Sequence, residues 1–148
     1  MREILIQLIK NKIFMTTLSA WIAAQVIKVT IGIVRERKFD FRWFIGTGGM
    51  PSSHAAGASC LAAAIGFEYG FSGVYFALAA SFALVVMFDA QGVRRSAGRQ
   101  ARILNKVMDD IYWQGRIQEN RLRELVGHTP IEVIGGFLLG ILIALIAR

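Results

Sequence analysis

The stretch IFMTTLSAWIAAQVIKVTIGIV, residues Ile13 to Val34, is apolar except for Gln25, Lys28 and a few small hydroxyl residues. A helix rising about 1.5 Å per residue over that run crosses the roughly 30 Å hydrocarbon core of a bilayer. The rest of the chain agrees: of 148 residues 55% are hydrophobic and 18% charged, with a mean hydropathy of +0.50. Such a composition is too apolar for an ordinary soluble domain, and with a single cysteine it excludes a disordered chain, a disulfide scaffold and a collagen-like fibre. The expected architecture is one all-α domain over residues 1–148, a polytopic membrane helix bundle of about four spans plus an interfacial amphipathic helix.

Working outward, Ser52 to Phe67 (SSHAAGASCLAAAIGF) is a second span, rich in small residues that let helix backbones approach closely. Phe71 to Phe88 is a bulkier third span, and Pro130 to Ala147 a fourth, with Gly136 and Gly140 spaced for a close-packed face. The contrast between the small second and bulky third spans predicts an acyl or prenyl groove between them. The start, MREILIQLIKNKIF, lacks a cleavage site after a clean apolar core, so a retained N-terminus is expected. Ile103, Leu104, Val107, Met108, Ile111 and Tyr112 recur at helical spacing, which predicts the interfacial helix, with Trp113 at headgroup level. Asp109 and Asp110 form its solvated face, and no metal site is read there.

The net charge of +7 is unevenly placed. With four spans, Arg35, Arg37, Lys38, Arg42, Arg94, Arg95, Arg99, Arg102, Lys106, Arg116, Arg121 and Arg123 fall on one side, against Arg2, Lys10, Lys12 and Arg148 on the other. Cytoplasmic loops carry the excess of Lys and Arg, so the richer side is expected in the cytoplasm and the protein in the cell membrane. No zinc-finger or RNP motif accompanies the basic residues, so nucleic acid is not expected as a partner. Membrane lipids and phosphorylated molecules are the anionic partners that fit.

The groups with chemistry gather at that basic side. Lys28 and Arg35 lie two turns apart on one helix face, with Gln25 a turn before Lys28. Gly48-Gly49-Met50-Pro51-Ser52-Ser53-His54 forms a loop and a capped helix start, where backbone N–H groups favour an anion beside His54. Thr129, Pro130 and Glu132 compose a capping box, and Glu132 also stands four residues after His128, placed to orient its ring. Asp89 and the pair Arg94, Arg95 follow the third span; two arginines beside a glycine suit a phosphate, with Asp89 as counter-ion. The plain structural alternatives are a snorkelling Lys28, an ordinary cap at Ser52, and a charge-flanked span end at Arg94 and Arg95. The lone Cys60 reads as a small buried residue.

KVTIGIVR, GGMPSSHAA, DAQGVRR and GHTPIEV resemble the divergent branch of the type 2 phosphatidic acid phosphatase superfamily, which includes lipid phosphate phosphatases, bacterial acid phosphatases and vanadium haloperoxidases. The resemblance covers nearly the whole chain. It departs from the superfamily pattern at Glu36 (for proline), Ser53 (for glycine) and Glu132 (for aspartate), and Leu122, between Arg121 and Arg123, stands where a Ser-Arg pair ends before the last histidine. The resemblance implies a metal-independent phosphatase without a cofactor, acting on a lipid phosphate or pyrophosphate. His128 is then the nucleophile that forms a phosphohistidine, Glu132 its orienting partner and His54 the acid. Lys28, Arg35, Ser52, Ser53 and Arg94 or Arg95 hold the phosphate, supported by Asp89 and Gln25. A non-catalytic membrane protein that binds phospholipid or a phosphorylated partner is the rival from another class, and phosphotransfer to an alcohol is a third reading.

Overall fold

The computed structural model describes residues 1–37, 49–112 and 127–148, without the side chains of 93–95, 99 and 109–112. Lys38, Arg42, Trp113, Arg116, Arg121, Leu122 and Arg123 lie outside the described residues. The secondary structure described is helical: α1 (Arg2–Lys10), α2 (Lys12–Glu36), α3 (Ser53–Tyr69), α4 (Val74–Gln91), α5 (Val93–Tyr112) and α6 (Pro130–Ile146). Asn11 separates α1 from α2 by adopting an extended conformation, and its side chain accepts the Phe14 N–H at 3.0 Å. The α3–α4 turn runs through Gly70 at φ +89°, so α4 begins at Val74 rather than Phe71.

Helices α2, α3, α4 and α6 form the bundle, with α3 at its centre, packed against the other three. Side-chain size explains the arrangement. Apart from Val29, Val133 and Cys60, the buried hydrophobic residues are alanines, while Trp21, Ile22, Phe82, Val85, Leu138 and Leu142 face outward. Small-inside, large-outside packing is the reverse of a water-soluble core and suits a surface solvated by lipid tails. The α2 residues Thr16, Ala20, Ala24, Gln25, Lys28 and Val29 form the inward stripe, so Gln25 and Lys28, the strongly polar residues between its charged ends, point into the protein.

The α3–α6 contact is the tightest. A side chain at Gly136 would meet the Ser52 carbonyl and, at 3.0 Å, the Ala55 Cβ; one at Gly140 would meet Ser59 Oγ and the Ala56 carbonyl. Ser59 Oγ donates across the seam to the Phe137 carbonyl at 3.1 Å. The G-x-x-x-G spacing therefore packs as expected. Along the middle of the α3–α4 pair, alanines on both helices (Ala58 and Ala62 against Ala79 and Ala83) let them close on each other.

By length and composition, α2 and the Val74–Met108 stretch qualify as membrane-crossing helices, whereas α6 is apolar but has 17 residues, as has α3. In α5, Ile103, Leu104 and Val107 are exposed along one side. The chain alternates direction, so the end of α2, the start of α3, the end of α4 and the start of α6 share one end of the bundle. At the opposite end Lys12 Nζ donates to the Arg148 carbonyl at 3.1 Å, and the Arg148 guanidinium lies 5.3 Å from the centre of the Phe67 ring.

Candidate functional site

Three of the four helix ends at the basic side, those of α3, α4 and α6, are joined by main-chain hydrogen bonds before any functional side chain is considered. Ser52 N–H donates to the Glu132 carbonyl at 2.9 Å, linking the start of α3 to α6. His128 N–H donates to the Ala90 carbonyl at 3.0 Å, linking the residue before the α6 cap to the end of α4. Ala55, Ala90 and Val133 pack together just beneath these bonds.

On that frame, Thr129 caps α6. Its Oγ1 accepts the Glu132 N–H at 3.4 Å, and Glu132 Oε2 accepts the Thr129 N–H at 3.0 Å, the reciprocal pair of a capping box. The same Oε2 lies 3.1 Å from His128 Nδ1. With the carboxylate as acceptor, Nδ1 carries the ring proton, which leaves the Nε2 lone pair as the nucleophilic or basic position. His128 is 3% exposed, so this ring works away from bulk water.

His54, half-buried in the first turn of α3, presents its ring edge-on to His128, with centroids 6.0 Å apart and planes at 60°. Ser52 caps α3 by accepting the Ala55 N–H at 3.3 Å, and both Ser52 and Ser53 are buried. The Ser52 hydroxyl and N–H are thus both engaged in structure. Lys28, 8% exposed, and the buried Gln25 enter from α2.

Gly49 explains how the loop reaches Lys28. Its φ of +90° is a left-handed conformation, and a Cβ there would lie 3.1 Å from Lys28 Cγ and 3.2 Å from Cδ. Only glycine permits both. Gly49 and the Ala90 carbonyl are the participants that sequence reasoning did not single out: the first was visible only as one of two loop glycines, and the second acts through its main chain and leaves no side-chain signal.

The structure therefore brings Gln25, Lys28, Ser52, Ser53, His54, His128 and Glu132 to one bundle end, with half-buried Asp89 adjoining through Ala90. Arg35 is exposed, about 10 Å farther along α2 than Lys28. Arg94 and Arg95 fall in the first turn of α5, directly after the site end of α4, and their side chains lie outside the described residues. Among the described residues no group of three His, Cys, Asp or Glu side chains is arranged to hold a metal ion.

Outward-facing bulky residues and a bundle end that gathers two facing histidines and a buried lysine define a helical membrane protein with one polar end. The chain belongs to the divergent PAP2 family, whose description matches residues 9–143. It is similar to the protein described as "uncharacterized membrane protein YuiD" of Bacillus subtilis (strain 168), with 41% identity over 151 residues covering 95% of this chain and 96% of that one. No solved structure matches.

Proposed function

We propose that this PAP2-like membrane protein is a phosphatase that hydrolyses a lipid phosphate or pyrophosphate through a phosphohistidine intermediate. The observation that carries the reading is the buried His128–Glu132 pair, 3.1 Å apart and facing His54, beside Lys28. His128 Nε2 attacks phosphorus in line with the leaving oxygen, forming the N–P bond as the P–O bond breaks. Protonated His54 gives its proton to that oxygen, then takes one from the water that attacks the phosphohistidine and releases phosphate. Glu132 holds the ring and stabilises the charge that develops on it. Lys28, Arg94 or Arg95, and N–H groups in the first turn of α3 surround the phosphoryl oxygens, and Arg35, farther out on α2, adds positive charge at the approach to them.

In this reading the bundle has four spans, α2, α3, α4 and α6, with α5 lying in the interface. The site faces the cytoplasm, where the basic residues concentrate. Purified protein in detergent should release inorganic phosphate from a panel of lipid phosphates in the presence of EDTA, and His128→Ala should abolish the release. A full-rate His128→Ala protein, or strict dependence on added metal, overturns the mechanism. Vanadate should inhibit by occupying the phosphate position, and insensitivity at millimolar concentration counts against it. Retained lipid-phosphate binding with no turnover, and no phosphohistidine on rapid quench, is the outcome that a non-catalytic binding protein produces.

A further inference from the structure

α1 is a helix with two unlike faces and no buried residue. At about 3.6 residues per turn, Glu3, Gln7 and Lys10 fall along one side, and Ile4, Leu5, Leu8 and Ile9 along the other. Each of these four apolar side chains is exposed over more than two-fifths of its surface. The polar side has a place: Gln7 and Lys10 line, with Lys12, Glu68 and Tyr69, a hollow of about 380 Å³ where α1 leans toward the end of α3. The extended conformation of Asn11 makes this lean possible, because it ends α1 one residue before α2 begins. The apolar side is thereby turned away from the bundle. Two tyrosines mark the level: Tyr69 and Tyr75, 61% and 66% exposed with ring centroids 5.7 Å apart, line the same groove as Asn11. Tyrosines beside a membrane span concentrate at the headgroup level.

We infer that α1 lies in the plane of the leaflet opposite the histidine pocket, with Ile4, Leu5, Leu8 and Ile9 among the upper acyl chains and Glu3, Gln7 and Lys10 toward the headgroups. The occupant of the apolar face is lipid for three reasons. One residue joins α1 to α2, a helix long and apolar enough to cross a membrane. The tyrosine pair sets the joint at headgroup level. Arg2, Lys10 and Lys12 outnumber Glu3, a balance that suits anionic headgroups. The inference depends on α2 crossing the bilayer and not on any catalytic activity. It also gives α1 a task in the four-span arrangement. α3 and α6, with 17 residues each, are about 26 Å long, against a hydrocarbon core of roughly 30 Å. A helix lying among the upper chains beside their ends thins the leaflet there, and local thinning is how a bilayer accommodates a short span.

Nitroxide labels on the full chain test this. Single cysteines Glu3→Cys, Leu5→Cys, Leu8→Cys and Ile9→Cys are introduced with Cys60→Ala, labelled, and reconstituted into vesicles of phosphatidylethanolamine and phosphatidylglycerol. Collision with oxygen, relative to collision with a water-soluble nickel chelate, should be about threefold or more higher at positions 5, 8 and 9 than at position 3. Chelate-favoured ratios at all four positions mean that α1 stands in water. Low collision with both reagents at 5, 8 and 9 means that protein, such as a second copy of the chain, covers them. Either result overturns the inference. In a second measurement, Leu5→Asp with Ile9→Asp should lower the ratio at Leu8→Cys to that at Glu3→Cys, with the circular dichroism of the bundle retained. An unchanged ratio overturns the inference. Neither readout needs turnover, so both stand apart from any failure of the phosphatase reading.

Discussion

Glu132 Oε2 accepts two hydrogen bonds, one from the Thr129 N–H and one from His128 Nδ1, so a helix cap and an imidazole share one oxygen. Two substitutions separate these roles. Glu132→Gln keeps an amide oxygen for the cap but removes the charge, and should lower kcat on the order of 10²-fold or more while leaving the thermal unfolding midpoint nearly unchanged. Thr129→Ala should do the converse, costing about 1 kcal/mol of stability with phosphate release kept within a few-fold. Calorimetry in detergent beside a phosphate-release assay reads both. At this scale the sequence showed the capping box and the four-residue spacing of His128 and Glu132, because both are local along one helix. Gly49 and the Ala90 carbonyl were not legible, since a positive φ and a main-chain acceptor are set by partners distant in the chain.

The close seam between α3 and α6 makes a sharp prediction about elements. Gly140→Leu drives a side chain into Ser59 Oγ and the Ala56 carbonyl, both on a neighbouring helix that has no room to retreat between α2, α4 and α6. The cost should be about 1–3 kcal/mol or more, read as a lower unfolding midpoint. Leu142→Val on the exposed side of the same helix should change it by less than about 0.5 kcal/mol. The number of bundle helices and their approximate ends followed from runs of apolar residues, which are one-dimensional information. Which pairs close tightly did not follow: the small residues of α3 were legible, but that alanines of α4 would meet them at Ala58 and Ala62 depends on the register of two helices.

For the whole molecule, the alternating helices place α1 and Arg148 at one end and the histidine pocket at the other. In four-span insertion, single cysteines introduced at Glu3 and at Ser96 in a Cys60→Ala background should react with a membrane-impermeant maleimide from opposite sides, with Ser96 on the cytoplasmic side. Labelling of both positions from the same side would eliminate the four-span arrangement. Cys60 suits replacement because it is fully buried among small residues near Ala20, Ala63 and Ala144. The charge asymmetry that suggests this orientation is read from where Lys and Arg fall between the apolar runs, while the depth of Lys28 inside the bundle required the fold.

The bonds from Ser52 N–H to the Glu132 carbonyl and from His128 N–H to the Ala90 carbonyl have no side-chain atom in them. Whatever residue replaces serine at 52, glutamate at 132 or histidine at 128, any amino acid except proline at 52 and 128 still supplies the groups those bonds need. The distance between the two helix starts is therefore uncoupled from the identity of the functional groups they carry. A lineage built on this frame is free to exchange its chemical groups one at a time, as Ser53 and Glu132 stand where the wider superfamily has glycine and aspartate, without first having to rebuild the place in which they meet.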